Sequence, residues 1–199
     1  ASASVHIAAV FTTGLSGIAH VKFGNVSKTL FIRLLLPGII GAFCGVLFVT
    51  KLDGDLIKPL VSLYLLIMGC LIIKKSLFKK KQTQISGSKI SKLALAGGFM
   101  DSAGGGGWGP IVTSSLVGAG QDPRSTIGSV NFAEFFLTLA TAGFFSIFIA
   151  TAPWPIIFGL VIGGLFAAPF AALLCKHLPA KFLMIVVGCV VSVLSLINI

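Results

Sequence analysis

The chain has 199 residues, 56% of them hydrophobic and 10% charged, and a formal net charge of +10; its mean hydropathy is +1.05. Soluble domains carry about 25% charged residues, so this composition excludes a water-faced globular domain and leaves a polytopic, all-helical membrane protein. The basic excess does not point to nucleic acid: Lys74, Lys75, Lys79, Lys80, Lys81, Lys89 and Lys92 crowd one short polar stretch, as in a loop held on the cytoplasmic side by its positive charge.

Six apolar runs reach the length needed to cross a bilayer, at about 20 residues each. They are 2–21, 29–50, 56–78, 127–150, 154–175 and 179–198. The first lacks a basic leading segment and a small-residue cleavage site, so it reads as a membrane helix and not as a signal peptide. Region 90–121 is different. Leu93 to Met100 and Ile111 to Val117 are each too short to span, and Gly104, Gly105, Gly106, Gly107, Trp108, Gly109 and Pro110 separate them. Lipid offers no partner to irregular backbone, so such a break survives only where protein or water reaches it. The spacing predicts two half-helices joined by a glycine turn, or a re-entrant loop. The chain then divides into a first repeat over 1–78 with three helices, a basic cytoplasmic linker over 79–92, and a second repeat over 93–199 with the hairpin and three helices.

The repeat shows as a constant offset. Ser4-Val5-His6-Ile7-Ala8-Ala9 aligns with Ser129-Val130-Asn131-Phe132-Ala133-Glu134 at an offset of 125. The same offset pairs Phe11 with Phe136, Thr13 with Thr138, Gly38 with Gly163, Ala42 with Ala167 and Lys51 with Lys176. Positive charge in the link Lys22 to Lys28 and at Arg124, Lys176 and Lys181 makes 2–21 run inward and 127–150 run outward. The halves are then related by inverted topology, a common plan of secondary transporters. The glycine hairpin has no first copy at this offset. If the repeats share one architecture, residue 1 is not the natural start and roughly 30–40 residues precede it.

The four cysteines, Cys44, Cys70, Cys175 and Cys189, sit in apolar runs without the spacing of a metal or redox motif. GGGGWG satisfies a dinucleotide-binding glycine pattern, but no strand precedes it and no lysine follows to hold a phosphate. Hydrolase motifs are absent from the sequence, no enzyme activity is expected, and no cofactor or metal is expected.

The glycine break instead suits an anion. Pro110 fits the first turn of a helix, whose free N–H groups would point into the turn at Gly104–Gly107 and Trp108, with Thr113 and Ser114 adding hydroxyls. Asn131, Glu134 and Thr138 recur at one-face helical spacing. A carboxyl inside an apolar helix is functional by default, so Glu134 and Asp101 are candidate coupling groups. Arg124 is a candidate ion-pair partner for Asp101. His6, which stands where the second repeat has Asn131, is a candidate proton shuttle or anion donor. His20 and His177 lie near helix ends.

Asp101, Gly104–Pro110, Ile111-Val112-Thr113-Ser114, Pro123-Arg124, Gly128 and Val130-Asn131-x-Ala133-Glu134-Phe135-Phe136 resemble the second-repeat signature of the TauE/SafE family of sulfite exporters. Thr12-Thr13, Ser16, His20 and Gly24 are similar to that family's first repeat. The resemblance implies a multi-pass protein of the inner (plasma) membrane that moves small sulfur-containing anions such as sulfite, sulfonates or sulfoacetate. Protons are the candidate coupling ion, and a passive anion channel of the same architecture is the alternative.

Overall fold

The computed structural model describes residues 2–51, 54–77, 85–119, 121–148, 154–177 and 180–197. Asp53, Lys79, Lys80 and Lys81 lie outside the described residues, as do the span ends expected at 78, 149–150, 179 and 198. Among the described residues every regular element is a helix. The helices are α1 (Ser2–Lys22), α2 (Lys28–Lys51), α3 (Gly54–Leu77), α4 (Gly87–Gly104), a π turn (Gly109–Thr113) running into α5 (Ser114–Gly118), α6 (Pro123–Phe148), α7 (Trp154–His177) and α8 (Ala180–Ile197). Ala3–Lys22, Lys28–Lys51 and Arg124–Phe148 are long and apolar enough to cross a membrane. Large apolar side chains point outward from the bundle, among them Phe23, Leu36, Ile147, Phe158 and Phe166. Lipid is the solvent that tolerates such a surface.

Glycines set how the helices approach. Gly41 lies against the carbonyl of Leu95, Gly45 against that of Phe99, and Gly98 against that of Gly38, so α2 and α4 touch backbone to backbone. Without a hydrophobic drive between helices in lipid, close packing through small residues is what holds such a pair. Leu95 and Phe99 follow one another along α4 as Gly41 and Gly45 do along α2, so α2 and α4 run parallel. Phe31 against Phe132 and Phe43 against Phe144 set α6 parallel to α2 on another side. α1 crosses α6 the opposite way: His6 rests near Phe145, Thr13 meets Thr138, and Gly17 backs onto Phe132. α1 and α6 are therefore antiparallel. α3 and α8 pair through Gly69 on Ser192 and Gly188 on Ile73, also antiparallel. Leu34, Ala42, Ala94, Trp108, Leu116 and Leu137 fill the core between α2, α4, α5 and α6.

The first arm of the hairpin is longer than its apolar count suggests. α4 starts at Gly87, within the stretch read from sequence as linker. Ile90, Ala94, Gly97, Gly98 and Asp101 form its buried stripe, while Lys89 and Lys92 are exposed. The lysines share turns with inward-facing residues, so charge alone hid the helix start.

Candidate functional site

α4 ends where its backbone turns left-handed. Gly105 has φ 76° and its N–H donates to the carbonyl of Asp101 at 2.8 Å. Only glycine enters this region without a steric cost, which is why helices so often stop on it. The chain reverses through Gly106 and Gly107 and re-enters helix at the π turn, with Pro110 in its opening turn. Val112 and Trp108 fold back onto Gly97, so the second arm lies antiparallel on the first. The glycine turn is thus the tip of a hairpin, as the sequence predicts. The π turn, rare in ordinary helices and frequent at functional sites, has no signal in the sequence that we can name.

Asp101 organises the tip. It is buried, and its Oδ1 accepts the backbone N–H of Gly107 at 2.8 Å and of Trp108 at 3.0 Å. These are the N–H groups that the sequence reading left free for an anion. The structure corrects that expectation: an internal carboxylate already occupies them. Buried N–H groups must find acceptors, and Asp101 stands one hairpin reversal away. Its Oδ2 lies 3.1 Å from Nε2 of His6. Arg124, the partner suggested by sequence, is exposed at the start of α6 beside Asp122. Asp122 caps that helix by accepting the N–H of Ser125 at 2.8 Å, which holds its carboxyl below the usual range. His6 is 2% exposed and joins α1 to the hairpin tip.

Glu134 comes within electrostatic reach of Asp101. It lies deep among protein atoms, and the residue as a whole keeps part of its surface exposed. Among the described residues it has no hydrogen bond or ion pair. Its expected companions are engaged elsewhere. Asn131 accepts the hydroxyl of Ser16 at 3.1 Å and donates to the carbonyl of Ile127 at 3.2 Å. Thr138 meets Thr13 at 3.3 Å. Both therefore serve the contact with α1.

The remaining candidates divide by role. The Trp108 side chain is fully buried in the core and its Nε1 donates to the carbonyl of Val130 at 3.1 Å; only its backbone faces Asp101. Thr113 and Ser114 sit further along the second arm and are half-buried. Gly104 and Gly107 leave room for Tyr64 of α3: a Cβ on Gly104 would lie 3.1 Å from the ring, and one on Gly107 would lie 2.7 Å from the hydroxyl. A Cβ on Gly106 would meet nothing within 4 Å, so the space beside the tip is open there. Tyr64 is the residue that sequence reasoning missed. A lone tyrosine in an apolar helix has no spacing partner, and only the fold brings it to the tip.

A helical membrane protein with a glycine-tipped hairpin, carrying buried ionisable groups at that tip, has the architecture of a transporter. The family described as Sulfite exporter TauE/SafE matches residues 1–197, and the chain belongs to that family. It is similar to a protein described as "Probable membrane transporter protein YtnM" from Bacillus subtilis (strain 168), at 41% identity over 197 residues, covering 94% of this chain. The chain spans 66% of that relative's length. No solved structure matches it. The family and this relative are membrane transporters rather than enzymes.

Proposed function

We propose that this chain forms the substrate path of a multi-pass secondary transporter that moves small sulfur-containing anions, of the sulfite, sulfonate or sulfoacetate type, across the plasma membrane, coupled to protons. The observation that carries the reading is the buried His6–Asp101 pair at the hairpin tip, with Glu134 in electrostatic reach. Ionisable groups are costly at membrane depth and mark ion and proton pathways. The site centres on Gly104–Gly107, with the turn open at Gly106, where a Cβ would meet nothing within 4 Å. Hydroxyls of Thr113 and Ser114 lie beyond it on the second arm.

Asp101 and Glu134 give the site a means of coupling. Two carboxylates near one another repel an incoming anion, and protonating either one removes that repulsion. A proton on Asp101 would also weaken its hold on the N–H groups of Gly107 and Trp108, freeing them for an anion's oxygens. The proposed inverted repeat draws support from the antiparallel α1 and α6 and from the meeting of Thr13 with Thr138, 125 positions apart. Two such halves would rock about the tip to open it to either side.

Purified protein in liposomes tests this directly. With an imposed pH gradient, labelled sulfite or sulfoacetate should accumulate above its equilibrium level. Flux that only equilibrates would make the protein a channel. Absence of flux for every sulfur anion would overturn the assignment.

A further inference from the structure

The hydroxyl of Tyr64 is buried and has no hydrogen-bond partner among the described residues. Such an atom normally finds a partner in protein or water, and leaving it without one is unfavourable. Its surroundings explain why it has none. Tyr64 feels the charge of Asp101, but Asp101 is already engaged: Oδ1 takes two backbone N–H groups and Oδ2 faces His6. The ring lies beside Gly104, where a Cβ would come within 3.1 Å of it, and the hydroxyl lies beside Gly107, where a Cβ would come within 2.7 Å. Beside this contact the tip is open, at Gly106. Two glycines thus shape the turn to receive one tyrosine, and the tyrosine brings a donor that no group among the described residues accepts.

We propose that Tyr64 is the specificity-determining residue of the anion site: it lies on the glycine turn, and it donates its hydroxyl to an oxygen of the sulfur oxyanion that enters between α3 and the turn. This rests on the function proposed above and adds the group that holds the substrate from the α3 side. An oxyanion suits the place because Tyr64 brings an O–H donor and the turn is open beside it at Gly106. The packing allows the movement required. Among the described residues α3 packs mainly along α8 and touches the inner helices sparingly, close to the tip. A shift of α3 therefore uncovers the turn without disturbing the contact between α2 and α4. A monovalent halide would gain less than a sulfur oxyanion, because it cannot present one oxygen to Tyr64 and others to the turn.

The test is Tyr64→Phe, which keeps the ring over Gly104 and removes only the donor. Detergent-purified full chain is titrated with sulfite, thiosulfate, sulfate and sulfoacetate, with chloride and acetate as controls, and binding is read by calorimetry. Losing a hydrogen bond to a charged ligand should weaken binding of the preferred sulfur anion by about tenfold or more. Melting of the empty protein should stay unchanged or rise, because the variant removes a buried group without a partner. If the wild type binds a sulfur anion and Tyr64→Phe binds it equally well, Tyr64 is not a ligand and only this inference falls. The same holds if Tyr64→Phe melts well below the wild type when empty, since the hydroxyl is then structural. A wild type that binds none of the sulfur anions removes the functional reading and the role of Tyr64 together.

Discussion

α1 and α6 are built alike and used differently. They carry matched residues at one offset, they run antiparallel, and they meet at Thr13 and Thr138. Yet position 6 carries a histidine that crosses to Asp101, while its counterpart Asn131 turns to Ser16 of α1. Position 9 is an alanine, while its counterpart is Glu134, which comes within reach of the same Asp101. A shared backbone plan thus delivers two different ionisable groups to one carboxylate. The lesson is that matched positions on two helices supply the scaffold, and departures from the match supply the ionisable groups.

Removing the carboxylate that both helices address should have the largest effect. Asp101→Ala leaves the N–H groups of Gly107 and Trp108 buried without their acceptor and removes the contact to the imidazole of His6. Each unsatisfied buried donor costs about 1–3 kcal/mol, so the variant should melt far below the wild type or fail to accumulate. Measured Tm in detergent decides. A variant as stable as the wild type would mean that the tip is held by its glycine packing alone.

Making α1 match α6 is the next step down. His6→Asn gives both helices asparagine at equivalent positions. Asparagine is shorter than histidine, so Asp101 loses its partner from α1. A hydrogen bond to a charged group contributes about 1.5–3 kcal/mol, and stability should fall by that order, with transport falling too. Full stability and full transport in this variant would show that the difference between positions 6 and 131 carries no chemistry.

Glu134→Gln should change stability by less than about 0.5 kcal/mol, because Glu134 has no partner to lose among the described residues. Its effect should appear in function. Glutamine keeps the shape and cannot titrate, so proton-driven accumulation of sulfur anions should disappear and the remaining flux should lose its pH dependence. Accumulation with an unchanged pH profile would place the coupling group elsewhere, with Asp101 and His6 the remaining candidates at the tip.

Much of this site is legible from the chain. Helix ends follow from the apolar runs, because lipid fixes their length. The turn follows from consecutive glycines, which no membrane helix tolerates without cause. Asp101, Glu134 and His6 are conspicuous because ionisable residues are rare in such company. What the sequence hides is pairing across the fold. Asp101 reaches Gly107 and Trp108 only because Gly105 turns left-handed and reverses the chain. An acid followed within two turns by a glycine-rich break is a signal that could have been read as a cap. Tyr64 has no comparable signal, since its neighbours at the tip lie some 40 residues further along the chain. α4 was shortened in the reading because Lys89 and Lys92 look like loop, although they only line the outward face of a helix.

The contact between α1 and α6 at Thr13 and Thr138 should contribute least, despite its central place. The two hydroxyl oxygens are 3.3 Å apart. Each already donates within its own helix, Thr13 to the carbonyl of Ala9 at 2.6 Å and Thr138 to that of Phe135 at 3.0 Å. A hydroxyl has one proton to give. With both protons committed to backbone, the two oxygens face each other as acceptors and gain little. Thr13→Val should therefore shift stability by less than about 1 kcal/mol, and a double-mutant cycle with Thr138→Val should show coupling within the roughly 0.3–0.5 kcal/mol scatter of independent sites. Coupling well above that would mean that one threonine releases its carbonyl and bonds across the pair. The place where α1 and α6 touch would then be a hydrogen-bonded hinge and not a mere point of contact.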